Sequence, residues 1–235
     1  MVRLEMSCAG ALISDRHVLT AYHCLQQGVR FNLANGGAGE TVKVGVHNQW
    51  DPADYQEVPI LRAVYPPGAG DINDIEDTGI HDIAIIILAR PVILNLTIQP
   101  ICLPASDEFV WQGSTTTTAG WGTTHNSTLQ QAEPRQVLLR VNPTDYSNGN
   151  FFYTDVDVVK GVAQDPCAGD SGGPLMHWSQ GRWTVIGTVF GEGYDCRTAE
   201  TNGKGKWNTV TAHLDWIKDV LSENDLTSKC ALQSG

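Results

Sequence analysis

Short apolar runs rich in β-branched residues, each bounded by glycine, proline or polar turn residues, recur along this chain and favour many short strands over long helices. The runs are Ala11–Ile13, Val18–Ala21, Thr41–Val46, Val58–Val64, Ile83–Leu88, Thr115–Trp121, Gln136–Val141, Gly173–His177 and Trp183–Phe190. With 24 Gly and 11 Pro among 235 residues, turns are frequent, and the pattern predicts an all-β sandwich or barrel. One helix is expected, at the end, from His213 to Glu223: Leu214, Ile217, Val220 and Leu221 recur at helical spacing and Trp216 adds bulk to the buried side. The length allows a full core, in one compact unit or two small ones. The strand groups change around Pro100 to Asp107, which places a sub-domain boundary there. Asn35–Gly39 and Pro66–Gly79 read as loops. The second carries Asp71, Asp74, Glu76 and Asp77 and reads as a solvated insertion, with calcium binding as the alternative.

Hydrophobic and charged contents of 41% and 17% are those of a globular protein and argue against disorder. The formal net charge of −11 makes the surface soluble, repels nucleic acid and anionic lipid, and weakly attracts basic substrates. No apolar run has the length of a membrane span. The six cysteines, an even number without zinc-site spacing, point to three disulfides and an oxidising compartment. The acceptor triplets at Asn95 (Asn95-Leu96-Thr97) and Asn126 (Asn126-Ser127-Thr128) agree with a secreted glycoprotein. The start, Met1 to Met6, has no apolar signal core, so a signal has been removed or the front of the protein lies outside this sequence.

Three segments carry chemistry. In Cys167-Ala168-Gly169-Asp170-Ser171-Gly172-Gly173-Pro174 a serine, a poor nucleophile without a base, sits between glycines that let the backbone turn tightly and present N–H groups to a developing oxyanion. In Leu19-Thr20-Ala21-Tyr22-His23-Cys24 a strand delivers a histidine beside a cysteine that can pair with Cys8. A bridge closing that loop stabilises by roughly 3 kcal/mol in the chain-entropy view and holds the histidine rigid. In His81-Asp82-Ile83-Ala84-Ile85-Ile86-Ile87-Leu88 an acid stands at the mouth of an apolar strand, where burial requires a partner such as a base imidazole. The other histidines, His17, His47, His81, His125, His177 and His213, have no ligand spacing and read as surface or packing residues, so no metal site is assigned.

These segments, in the order histidine, aspartate, serine, resemble the trypsin–chymotrypsin family of serine proteases. So do Gln99-Pro100-Ile101-Cys102-Leu103-Pro104, Ala119-Gly120-Trp121-Gly122-Thr123 and Leu214-Asp215-Trp216-Ile217, and the resemblance runs from about Ser7 to Leu221. It implies one protease domain of two antiparallel six-stranded β-barrels packed together: about 1–104 and 105–212, a helix at 213–223 and a tail at 224–235. It further implies a catalytic triad of His23, Asp82 and Ser171, an oxyanion hole from the N–H groups of Gly169 and Ser171, and no cofactor. Asp165 matches the floor of the primary specificity pocket and Gly191 and Gly205 its walls, which implies cleavage after Arg or Lys. Cys167 and Cys196 are implied to bridge across that pocket. Cys102 is paired with Cys230, the alternative being that Cys102 held a lost N-terminal region.

The implied partners are a polypeptide substrate and a protein protease inhibitor, with neither nucleic acid nor membrane, for a monomer or a chain linked to a lost pro-region. Two departures qualify the resemblance. Only seven residues precede Cys8, where the family carries a longer stretch whose activated N-terminus pairs with the aspartate of the activation pocket, here Asp170. Asp170 is therefore expected to be unpaired and the oxyanion hole zymogen-like. Val189 stands where the family usually has a serine near the triad aspartate, and the strand around it is one residue short. The alternative function is a catalytically impaired homologue acting as a binding or regulatory module.

Overall fold

The computed structural model describes residues 1–4, 8–26, 40–51, 53, 55–67, 69, 81–105, 113–124, 129–147, 151–155, 157–159, 162–192 and 204–223. Strands β1 (Val2–Leu4), β2 (Cys8–Leu12), β3 (His17–Thr20), β4 (Thr41–Val44), β5 (Gln56–Val64) and β6 (Ala84–Leu88) close into an antiparallel barrel in the order β1-β2-β3-β6-β5-β4. Closure is made where Val2 on β1 pairs with Val44 on β4. Strands β7 (Thr115–Gly120), β8 (Arg135–Ser147), β9 (Phe151–Asp155), β12 (Pro174–Ser179), β13 (Arg182–Glu192) and β14 (Lys204–Thr209) form a second closed barrel in the order β12-β13-β14-β9-β8-β7. Counted within each barrel, both follow one connectivity, first-second-third-sixth-fifth-fourth. Full closure leaves neither sheet a free edge. Strands β10 (Asp157–Val159) and β11 (Val162–Gln164) pair as a separate hairpin. The all-β, two-barrel architecture is thus the one expected.

Strand β6 shows why an uninterrupted apolar run is needed. Alternate residues of a strand face opposite sides of its sheet. Ala84, Ile86 and Leu88 fill the first barrel with Val2, Leu4, Val18, Val42 and Val58. Ile83, Ile85 and Ile87 face the other way, into a layer completed by Val185, Val210 and the terminal helix residues Ile217, Val220 and Leu221. Both faces are buried, so neither tolerates a polar residue. The second barrel has its own core, built on Leu139, Val141, Phe152, Leu175 and Trp207.

The segment between the barrels stitches them together: Ile101 N–H donates to Leu12 C=O at 2.8 Å and Cys102 N–H to Trp183 C=O at 3.2 Å. The expected terminal helix is present as Leu214–Ser222 (α2), preceded by a 3₁₀ turn at Thr211–His213. It begins one residue later than its periodicity predicts because His213 occupies the non-helical cap, with φ −116°. Among the described residues no helix is long and apolar enough to cross a membrane.

Candidate active site

The end of β3 runs through Ala21 and Tyr22 into a single helical turn, His23–Gln26 (α1), which presents His23. The Cys8–Cys24 disulfide, with Cα atoms 6.1 Å apart, ties this turn to β2. Asp82 reaches the same point from the mouth of β6. Its Oδ1 accepts the His23 backbone N–H at 2.8 Å and its Oδ2 lies 2.8 Å from His23 Nδ1. Asp82 is wholly buried, whereas the His23 side chain keeps 14% of its surface exposed. A buried carboxylate accepting from Nδ1 selects the tautomer that carries its proton there and leaves Nε2 with a lone pair.

Asp82 has a further partner that the sequence did not reveal. Asn208, fully buried on β14, donates through Nδ2 to the Asp82 carbonyl at 2.8 Å and lies 3.4 Å from its Oδ2. The expected serine position holds Val189, buried among apolar residues of the second barrel. Strand β13 carries a bulge here: Val189 pairs with Trp207 and Gly191 with Lys206, so Phe190 has no counterpart. Phe190 instead turns edge-on toward His23, with ring centroids 6.3 Å apart. Lys206 caps the Phe190 ring at 4.0 Å and the Phe151 ring at 4.3 Å. Burial lowers the Lys206 pKa, against the pull of the Asp82 charge.

Ser171 lies in a tight turn packed against the strand that leads to His23. Its carbonyl accepts Ala9 N–H at 2.8 Å, and Gly172 N–H donates to Val189 C=O at 2.9 Å. Gly172 has φ +74°, and a Cβ there would collide with the Thr20 hydroxyl and stand 2.7 Å from the Ala9 oxygen. Only glycine allows that approach. The N–H groups of Cys167, Asp170, Gly172 and Gly173 are all committed to acceptors inside the protein.

Among the described residues Asp170 makes no ion pair, but its carboxylate is held by two backbone donors. Its Oδ1 accepts Gly122 N–H at 2.8 Å and its Oδ2 accepts Cys167 N–H at 3.0 Å. The carboxylate fits because Gly120 and Gly122 have no side chains; a Cβ on either would run into it. Burial pushes the Asp170 carboxyl above the usual range, while the two N–H donors and the Arg3 charge pull it down.

Asp165 stands beside Gly205: a Cβ at Gly205 would lie 2.8 Å from Asp165 Oδ1 and 2.9 Å from Thr154 Oγ1. A larger residue at 205 would therefore fill the space in front of the carboxylate. Thr154 Oγ1 in turn accepts the Trp207 indole N–H at 2.8 Å. Cys102 and Cys167 are disulfide-bonded, but Cys196 and Cys230, their assigned partners, lie outside the described residues. So do Asn126, His125 and the acidic run Asp71–Asp77. Asn95 heads an exposed turn, its Oδ1 accepting the N–H groups of Thr97 and Ile98 at 2.9 Å each. Among the remaining histidines, His17 and His213 are buried and His47 is exposed. The one grouping among the described residues with metal-like spacing is Cys8, His23 and Cys24, and its two sulfurs are bonded to each other.

The chain is similar to known proteins over most of its length. A family model described as Trypsin matches residues 1–217. Serine protease 7 of Drosophila melanogaster is 32% identical over 93% of this chain and 58% of its own length. CLIP domain-containing serine protease B4 of Anopheles gambiae is 30% identical over 93% of this chain and 63% of its own. Phenoloxidase-activating enzyme 1 of Spodoptera litura is 29% identical over 93% and 60% respectively. The chain therefore spans about three fifths of the length of these relatives.

Proposed function

The chain belongs to the trypsin family of serine proteases, and from that premise we propose that it is a secreted endopeptidase cleaving polypeptides after Arg or Lys, with Ser171 as nucleophile. The observation that carries the proposal is the double grip of Asp82 on His23, through the backbone N–H and through Nδ1, each at 2.8 Å. It leaves Nε2 to take the proton of the Ser171 hydroxyl as Oγ attacks the scissile carbonyl. The oxyanion that forms accepts from the N–H groups of Gly169 and Ser171, the neighbouring N–H groups being engaged within the fold. The imidazolium then gives its proton to the leaving amine, and water, activated by the same nitrogen, releases the acyl group from Ser171.

Asp165 takes the substrate cation in the space left open by Gly205. A charge-assisted bond there is worth about 1.5–3 kcal/mol, which an apolar side chain could not supply. Secretion rests on the disulfides, and the name of the phenoloxidase-activating relative supports a place among proteases that act on other proteins. The competing reading, an inert homologue, draws on Val189 standing in place of a serine. Against it stands Asn208, whose Nδ2 donates to the Asp82 backbone carbonyl and lies 3.4 Å from its Oδ2.

The test is labelling of the purified protein with a fluorophosphonate and turnover of paired fluorogenic substrates. We expect Ser171 to be labelled, His23→Ala to abolish labelling, and Arg substrates to be cut faster than Phe or Leu substrates. Asp82→Asn should lower kcat about 10⁴-fold with the fold intact, the effect this substitution has in the family's worked case. Absence of labelling in the wild type would remove the enzyme, and faster cleavage after Phe would remove only the specificity.

A further inference from the structure

Strand β1 carries a charged residue that neither the triad nor the specificity pocket employs. Arg3 is only 7% exposed, and each of its three guanidinium nitrogens donates to an acceptor. Nε donates to Gln49 Oε1 at 3.0 Å, Nη1 to the Cys8 carbonyl at 2.8 Å, and Nη2 to Gln130 Oε1. The last bond joins residues 127 apart in sequence and crosses from the first barrel to the segment that precedes β8. That segment is held from both sides. Gln49 donates its backbone N–H to Ala132 C=O at 2.9 Å and its side-chain amide to Gln131 C=O, while Gln131 N–H donates to Trp121 C=O at 2.9 Å.

The other end of the Gln130 amide lies against the Ser171 turn: a Cβ built on Gly169 would come within 2.6 Å of Gln130 Nε2. Gly169 itself has φ +105°, a conformation open to glycine and strained for other residues. Its neighbour Asp170 feels the Arg3 charge. One guanidinium thus sets the amide that rests on Gly169 and adds a favourable charge to the carboxylate next to the nucleophile. A lysine could not, since a single ammonium lacks the fork that reaches three diverging acceptors.

We propose that Arg3 and Gln130 form a positioning latch for the oxyanion-binding turn, Arg3 orienting the Gln130 amide against Gly169 so that the Gly169 and Ser171 N–H groups stay aimed at one point. The proposal rests on the reading of those two groups as oxyanion donors. Neither latch residue touches substrate. Their loss should therefore act on transition-state stabilisation and leave ground-state binding nearly intact.

The experiment compares wild type, Arg3→Met, Arg3→Lys and Gln130→Leu by amide hydrogen exchange and by steady-state kinetics on an arginine amide substrate. Exchange in peptides covering 166–173 should rise about tenfold in all three variants, with β6 peptides unchanged, as a local opening requires. The kcat should fall about 10- to 100-fold, part of the 10²–10³ that loss of a whole oxyanion donor costs, with KM nearly constant. Arg3→Lys should not rescue. Gln130 is partly exposed and its variant keeps the test alive if Arg3→Met does not fold. Unchanged exchange at 166–173 in folded variants overturns the latch, whatever the kinetics. A wild type that neither labels nor turns over, together with raised exchange in the variants, refutes the catalytic reading and leaves the latch standing.

Discussion

Asp82 is buried with its carboxylate turned to His23, and a side chain that supports it from behind is Asn208. Removing a buried donor leaves its acceptor unpaired, at a cost of about 1–3 kcal/mol. Asn208→Leu should therefore lower the melting temperature and cut kcat by about tenfold or more with little change in KM, since the loss falls on the orientation of Asp82 and His23. Activity equal to wild type would show that the backbone grip on His23 suffices. A second buried group makes a pH prediction. His17 is fully buried with Nδ1 2.7 Å from Ser14 Oγ and, among the described residues, no partner for Nε2. Desolvation lowers its pKa from 6.5 to about 4; Arg62 and Arg16 push the same way and Asp15 opposes them. Between those values the unfolded chain binds the proton and the folded one does not, so stability falls as the pH drops from 6.5 toward 4, by at most about 3 kcal/mol. Urea titrations across that range should show this slope in wild type and a flatter one in His17→Asn; equal slopes would exonerate His17. The triad candidates could be read from the sequence because each sits in a contiguous motif. Asn208, Arg3 and Gln130 could not, because their roles exist only through contacts with residues 126 or more positions away or through packing on a glycine.

At the scale of the element, β6 carries the most, since it walls the first barrel on one face and the inter-barrel layer on the other while holding Asp82 at its entrance. Ile86→Ala and Ile85→Ala should each cost about 2–5 kcal/mol, the usual range for truncating a buried branched side chain. Ile93→Ala, where 70% of the side chain's residue is exposed, should change stability by no more than about 0.5 kcal/mol. Denaturation midpoints check all three, and a cheap Ile85→Ala would mean the layer between barrels closes around the gap. Strands such as β3, β6 and β13 were legible because β-branched content, length and burial agree there. β14, Lys204–Thr209, was not: its sequence KGKWNT has low strand preference, and it is a strand because β13 and β9 pair with it on either side. β1 was missed for the same reason. Its three residues place a buried arginine between Val2 and Leu4, a pattern that the Gln49, Cys8 and Gln130 acceptors make tolerable.

For the molecule as a whole, the net charge of −11 and a carboxylate proposed to receive the substrate cation act at different ranges. Surface charge acts through solvent and is screened over about 8 Å at physiological ionic strength, whereas a partly buried pair is screened far less. An acidic body should therefore raise the encounter rate of polycationic substrates without adding to binding once the side chain is seated. The two contributions separate in one experiment. With a long peptide bearing several lysines and arginines, kcat/KM should fall about three- to tenfold between low and high salt. With a short blocked arginine amide it should change by less than about twofold, because the pairing at Asp165 is local. Asp165→Ser should strongly reduce turnover of both substrates yet leave the salt sensitivity of the long one. If both substrates respond to salt alike, the surface charge serves solubility alone; if Asp165→Ser leaves the short amide untouched, the cation is recognised elsewhere in the cleft.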